Sequence, residues 1–261
     1  MLTILSLNCF DISFFTLLTR RKRLLRLTHE IITLNPDVVC LQEINFRDTE
    51  RLFKKKFENA GYSVFSPPTH SPRIPGGLFI ASKYPLIAPR FTVFRDQGKI
   101  MAPDIVERIV RRGYITAKIH PKDTNPVTIF NTHLHCPMGA YEDSNINGII
   151  RSQWTQLVSG RQKNRVIVTG DLNTIPENEM YPTFTNYLVD PLGGTRGHTV
   201  STRNTNRKFL YKLNSRIDYT LVSPDLSGQI RQTIVFTEPV SDGTQSFYLS
   251  DHFGILTEIH T

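Results

Sequence analysis

Phe247-Tyr248-Leu249-Ser250-Asp251-His252-Phe253-Gly254-Ile255-Leu256 sets an acid and a histidine at the mouth of an apolar run near the C-terminal end of the chain. An Asp-His pair at the lip of a strand places a neutral-pH titrating group beside a carboxylate. On its own the pair reads more readily as a cap or a packed core group than as a catalytic one. Its weight comes from five other stretches with the same form, a buried-type strand that stops in a polar cluster. These are Leu2-Thr3-Ile4-Leu5-Ser6-Leu7 ending at Asn8, Asp37-Val38-Val39-Cys40-Leu41-Gln42 ending at Glu43, and residues 127–131 ending in Thr132-His133-Leu134-His135. The other two are Val166-Ile167-Val168 running into Gly170-Asp171-Leu172-Asn173, and Arg216-Ile217-Asp218-Tyr219-Thr220-Leu221-Val222 with Asp218 inside the run.

Between these stretches the periodicity alternates. Leu24, Leu27, Ile31 and Leu34 recur at helical spacing until Pro36, which stops the helix. A charged helix is expected over 48–59, closed by Gly61, followed by short strands at 62–65 and 78–81 around a proline-rich loop. Residues 91–94 and 113–119 alternate as half-exposed strands, and 95–112 reads as a polar loop without a period. A helix over 142–161 presents Ile146, Ile149, Ile150, Trp154 and Leu157 on one face; strands close the chain at 230–236 and 253–259. No repeat, low-complexity tract or linker divides the 261 residues, so one domain is expected, with sheets carrying helices on their outside.

The chain has 31 basic and 23 acidic residues, a formal charge of +8, which favours an anionic partner. The odd set Cys9, Cys40 and Cys136 implies no disulfide framework, and His133, His135 and Cys136 lack a second ligand pair for zinc. No run of 18 apolar residues suggests a membrane span. The first eight residues read as a strand rather than a signal peptide, and a cytoplasmic rather than secreted monomer is expected.

Asn8, Glu43, His133, Asp171, Asn173, Asp218, Asp251 and His252 are thus polar groups at strand ends. A carboxylate beside a buried strand costs stability unless it is paired or bound to a cation. Several converging would form an acidic pocket in a basic protein, suited to a hard metal held by oxygen with a phosphate above it. Each has a structural alternative. Asp171-Leu172-Asn173 could be an Asx turn, Glu43 a helix cap, Asp218 a surface partner of Arg216, and Asn8 and His133 satisfied core groups. Taken jointly, these alternatives need six separate explanations.

In order and spacing, the six stretches resemble the motif set of the endonuclease/exonuclease/phosphatase superfamily across residues 2–259. The resemblance implies an α/β (α+β) four-layer sandwich: two mainly antiparallel sheets packed together, with helices on both outer faces. It implies Mg²⁺ or Mn²⁺, with Glu43 as principal metal ligand and Asn8 and Asp251 at the metal. It implies Asp171 activating water, Asn173 helping to hold it, His133 touching phosphate, and Asp218 paired with a catalytic His252. The expected activity is in-line hydrolysis of a phosphodiester in nucleic acid or in a phospholipid headgroup. The alternative is an inactive member that binds phosphorylated or anionic partners.

Ser6-Leu7-Asn8-Cys9 with Phe10, Thr132-His133-Leu134-His135, Arg151 and Gln153 resemble the neutral sphingomyelinase branch. Phe14, Phe15, Leu17 and Leu18 beside Arg20 to Arg23 suggest peripheral contact with an anionic membrane. The same cluster could instead be the solvated start of a core-facing helix, or touch nucleic-acid phosphate.

Overall fold

A computed structural model describes residues 1–11, 17–69, 71–99, 105–122, 124–137, 142–159, 165–194, 196–207, 214–228 and 230–260. In chain order the elements are β1 (Leu2–Asn8), α1 (Leu17–Leu34), β2 (Val38–Gln42), α2 (Arg47–Asn59), β3 (Ser63–Phe65), β4 (Phe79–Ser82) and β5 (Ile87–Val93). Then come α3 (Ile105–Val110), β6 (Gly113–Ile119), β7 (Val127–His133), α4 (Ser144–Ser159), β8 (Val166–Asp171), α5 (Tyr181–Thr185) and β9 (Asp218–Val222). The chain closes with β10 (Ile230–Val235), the short hairpin β11 (Val240–Ser241) and β12 (Ser246–Phe247), and β13 (Gly254–Ile259).

Two sheets result, ordered β10-β13-β1-β2-β4-β3 and β5-β6-β7-β8-β9. Each is antiparallel except for one central parallel pair, β1 with β2 and β7 with β8. A parallel pair needs a crossover, and α1 and α4 supply them. The amphipathic helix starts at Leu17, earlier than the apolar spacing from Leu24 suggests. It ends where Asn35 takes a left-handed conformation (φ 57°) ahead of Pro36.

Strand parity divides the apolar side chains into three layers. Leu2 and Ile4 of β1, Val38 and Cys40 of β2, Val127 and Ile129 of β7 and Ile167 of β8 point inward and fill the space between the sheets. The alternate positions point outward. Leu5, Leu7, Val39 and Leu41 meet Leu24, Leu27, Phe53 and Phe57 of α1 and α2. On the far side Phe130, Val166, Val168 and Leu221 meet Ile150, Trp154 and Leu157 of α4 and Phe184 of α5. The order is helices, sheet, sheet, helices, the four-layer sandwich the resemblance implies. Each fully buried apolar side chain contributes about 1.5–3 kcal/mol.

Two segments differ from the sequence reading. Residues 95–112 are not wholly loop: the single-turn-scale helix α3 lies inside them, and six residues are too few to display a period. The basic start of α1 is not wholly solvated. Arg21 and Lys22 are exposed, but Arg20 and Arg23 are each 5% exposed. Arg20 pairs with Asp11 and Asp48 and donates to Thr49. Arg23 donates to the carbonyls of Cys9 and Leu249 at 2.9 and 2.6 Å and to that of Phe10. Two of the four cations therefore fasten loops, and Lys22 pairs with Asp242 at 2.5 Å. Phe14 and Phe15, and the side chains of Leu17 and Leu18, lie outside the described residues.

Along the inward parity the strands change character. After Ile4 come Ser6 and Asn8; after Cys40, Gln42; after Ile129, Asn131 and His133; after Ile167, Thr169 and Asp171. β9 runs the other way, from Asp218 and Thr220 to Val222. These polar groups satisfy one another across the sheets. Asn131 donates to the carbonyls of Leu41 and Phe79 (3.0 and 2.9 Å) and accepts from Gln42 at 2.8 Å; Thr169 and Thr220 share a 2.7 Å bond. Asn131→Ala would remove a donor from two buried carbonyls and take the nearest of three acceptors from the Gln42 amide. We expect a loss of about 2–4 kcal/mol of stability in urea unfolding; a loss under about 0.5 kcal/mol contradicts this tie.

Candidate active site

The inward polar residues end at one rim, where β1, β2, β7, β8 and β9 finish or begin together with the turn before β13. Asn8 Nδ2 donates to Glu43 Oε1 and to Asp171 Oδ2, both at 3.1 Å. His133 Nε2 lies 3.3 Å from Asp171 Oδ2. His252 Nδ1 and Asp218 Oδ2 are 2.8 Å apart, and His252 Nε2 lies 3.9 Å from both Asp171 Oδ2 and Asp251 Oδ1. Every candidate residue of the sequence reading is brought to this rim. All are buried except Glu43, which is partly exposed.

Local backbone explains how they are aimed. Glu43 follows β2 in a left-handed conformation (φ 55°), which turns its carboxylate off the strand. The neighbouring chain must come close: a Cβ on Gly77 would stand 2.5 Å from Asn45 Oδ1 and 3.3 Å from Glu43 Cα. Gly170, just before Asp171, has φ +141°, and a Cβ there would lie 1.9 Å from the Thr132 carbonyl of the adjacent strand. Asp171 Oδ1 accepts the Asn173 backbone N–H at 3.0 Å, and the Asn173 amide donates to the Leu134 carbonyl. Asn173 thus fixes the Asp171 turn, the Asx geometry and the site being the same feature. Asp218 does not pair with Arg216, which is bound to Asp190 and lies 4.6 Å from the Tyr219 ring centroid.

Electrostatics separate the groups. Burial, then the charge of Asp251, raises the pKa of Glu43. Burial, then Asp218, raises Asp171 to about 7. Burial opposes charge on His252, but Asp218 and Asp251 outweigh it and raise the imidazole to about 10. Burial, aided by Arg112 and His252, holds His133 well below its ordinary value, so it is neutral. The rim thus sets a cationic His252 beside a neutral His133 and an Asp171 that holds its proton well above the ordinary carboxylate range.

The donor set fits a hard divalent cation. The charge of Asp251 adds to the cost of ionising Glu43, and the buried Asp218 Oδ1 and His133 Nδ1 have no hydrogen-bond partner. Asp171, Asp218 and His252 offer ligand atoms within 4.8 Å of one another. The Asp218–His252 contact is itself hydrogen-bond length, however, which leaves no room for an ion between those two atoms. Glu43 is the one partly exposed carboxylate of the set, and the charge of Asp251 acts on it. Asn8 turns its amide nitrogen to Glu43 and Asp171, while its Oδ1 accepts the Phe10 N–H at 3.0 Å. The neighbouring Cys9 thiol is kept protonated by burial and takes no part as a soft ligand.

Sequence reasoning missed several supporting residues. Arg112, in the stretch read as a polar loop, is buried and ion-paired with Glu107, and its charge reaches Glu43 and His133. Ser250 donates to the Asn8 carbonyl at 2.6 Å, tying the Asp251-His252 turn to β1. Gln42 and Asn131 sit inside the quoted motifs, and strand parity alone would have placed them beneath the site.

A model of the Endonuclease/Exonuclease/phosphatase family matches residues 5–252, and the chain belongs to this family. It is 25% identical over 292 residues to an inositol phosphosphingolipids phospholipase C of Schizosaccharomyces pombe, with 98% of this chain and 68% of that protein covered. It is 25% identical over 174 residues to a sphingomyelinase of Dictyostelium discoideum, covering 60% of this chain and 36% of that one. A beta toxin of Staphylococcus aureus has the same fold, with a TM-score of 0.77, 19% identity and 99% of each chain covered.

Because the raised pKa of Glu43 marks a carboxylate whose charge costs folding energy, neutralising it stabilises the metal-free protein above its ordinary pKa. In chelator at pH 7.5, Glu43→Gln is expected to raise Tm by about 2 °C or more. Added Mg²⁺ should raise the wild-type Tm and leave the variant's unchanged. An equal Mg²⁺ response in both removes Glu43 from the cation seat.

Proposed function

We propose that this protein is a divalent-metal-dependent phosphodiesterase that hydrolyses the headgroup phosphodiester of a phosphosphingolipid. The observation that carries the reading is the meeting of Glu43, Asp171, Asp218 and His252 at one buried rim, with the distances given above. The choice of lipid over nucleic acid is supported by the two sequence relatives, both named for sphingolipid phosphodiester cleavage. A nuclease is the second reading, favoured by the net charge of +8.

Glu43 and Asp251 would hold Mg²⁺ or Mn²⁺, with Asn8 beside them. When bound, the ion supplies positive charge against the non-bridging oxygens of the phosphate. Asp171, with a pKa near 7, accepts the proton of the attacking water as its oxygen bonds to phosphorus. The phosphorus–alcohol oxygen bond breaks and the departing alkoxide takes a proton from solvent water, leaving a monoester and an alcohol. His252 keeps a proton on Nε2 because Asp218 fixes Nδ1–H and stabilises the imidazolium. His252 Nε2 itself lies 3.9 Å from Asp171 Oδ2, beside the proposed base, and its proton is offered to a phosphoryl oxygen as charge builds there. His133, neutral and 3.3 Å from Asp171, donates to the same region. Asn173 keeps Asp171 from rotating away.

The test is a substrate panel with Mg²⁺: inositol phosphosphingolipid, sphingomyelin, single- and double-stranded DNA, and RNA. Sphingolipid cleavage that chelator abolishes is expected, and His252→Ala should lower kcat about 10²–10⁴-fold. Cleavage of nucleic acid alone would favour the second reading, and full activity in chelator or in His252→Ala would overturn both.

A further inference from the structure

Asp218 and His252 belong to different sheets. Asp218 opens β9 in the five-stranded sheet, and His252 lies in the turn that leads into β13 in the six-stranded one. No backbone ladder joins β9 to β13, so sheet hydrogen bonding does not set the 2.8 Å contact between them. Something else must hold two backbones at that separation.

Residues 199–206 lie between them. Val200 forms isolated antiparallel bridges with Ser215 on one side and His252 on the other. Thr199 N and Val200 N donate to the Ser215 carbonyl at 3.0 and 3.1 Å, and the Phe253 N–H donates to the Thr199 carbonyl at 2.7 Å. The Thr199 hydroxyl oxygen accepts two further backbone donors, Ile217 N at 3.1 Å and Asp218 N at 3.2 Å. Beyond it, Asn204 Nδ2 donates to the Ser250 carbonyl at 2.9 Å and Asn206 Nδ2 to the Tyr248 carbonyl at 3.0 Å. Thr199 is 0% exposed and Asn204 1%. One residue, Thr199, therefore touches the main chain of Asp218 through its side chain and the residue after His252 through its carbonyl.

We propose that Thr199 is a positioning residue for catalysis, setting the register between Asp218 and His252 from a segment that contributes no catalytic group of its own. This rests on the phosphodiesterase reading of the site. The physical reason for a side-chain oxygen is that Ile217 and Asp218 present two consecutive buried N–H groups at the beginning of β9, and a single acceptor collects both. Valine has the same shape without the acceptor, so Thr199→Val leaves both donors unpaired and frees the Asp218 backbone to shift. Serine keeps the oxygen. An error near 1 Å in such a pair costs about 100-fold in rate.

Thr199→Val, Thr199→Ser and Ser223→Ala are compared in the full chain with Mg²⁺ and the best substrate of the panel. Ser223 is a control at the other end of the sandwich, where its buried oxygen accepts the Val166 N–H at 2.9 Å. Thr199→Val is expected to lower kcat about 10- to 100-fold with KM changed less than about threefold, and Thr199→Ser to restore most of kcat. Ser223→Ala is expected to lose stability but not kcat. The downfield proton resonance of His252 Nδ1–H should shift upfield or broaden in Thr199→Val; this readout needs no turnover, so it stands even if the substrate assignment fails. If Thr199→Val does not fold, Asn204→Ala, which loosens the same segment at Ser250, is read in the same way. The proposal is overturned by an unchanged kcat and resonance in Thr199→Val, by a Ser variant as impaired as the Val one, or by an equal kcat loss in Ser223→Ala.

Discussion

The contact between the Asp218 carboxylate and the His252 imidazole joins the two halves of the molecule, and the rest of the site is arranged around it. An isolated buried carboxylate would protonate and an isolated buried histidine would lose its proton. Placed 2.8 Å from Asp218, the imidazole is held in its charged form and raised to about 10 against the pull of burial. The imidazolium then stands over the rim where inward strand positions of both sheets turn from apolar to polar. Asp171, facing the same rim without a comparable partner, is left with a pKa near 7. One site thus holds a proton donor and a proton acceptor set apart by environment.

That division depends on the sandwich. Inward positions at one end of the strands carry Leu, Ile and Val and form a dry core between the sheets; at the other end they carry Ser, Asn, Gln, Thr and Asp. The change along each strand is gradual. The Gln42–Asn131 and Thr169–Thr220 contacts make an intermediate layer of neutral hydrogen bonds between core and charge. Such a layer limits side-chain motion under the carboxylates without adding further charge. Arg20 and Arg23 perform a related task outside the sheets, drawing the loop after β1 and the turn before β13 to the same end of the molecule.

The strands and their polar ends were legible in the sequence because period two and the switch from apolar to polar are local signals. Asn8, Asp171 and Asp218 could each be placed at a strand's end, and their order along the chain carried the family resemblance. What was not legible depended on distance. That the charge of Arg112 reaches Glu43 and His133, or that Arg23 reaches the Leu249 carbonyl, follows from packing between segments far apart in sequence. The helices α3 and α5, of six and five residues, are shorter than two turns and leave no periodic trace. Asn173 could be read as an Asx turn or as a site residue, and its bonds to Asp171 and Leu134 make the two readings one.

The proposed cation seat at Glu43 and Asp251, next to the Asp218–His252 pair, is open to direct measurement. Anomalous diffraction from crystals soaked in Mn²⁺ measures this directly. The account predicts a single strong peak within about 2.1 Å of a Glu43 carboxylate oxygen, with the Asp218–His252 hydrogen bond intact. A peak seated between Asp218 and His252, or saturating Mn²⁺ with no peak at Glu43, would contradict it.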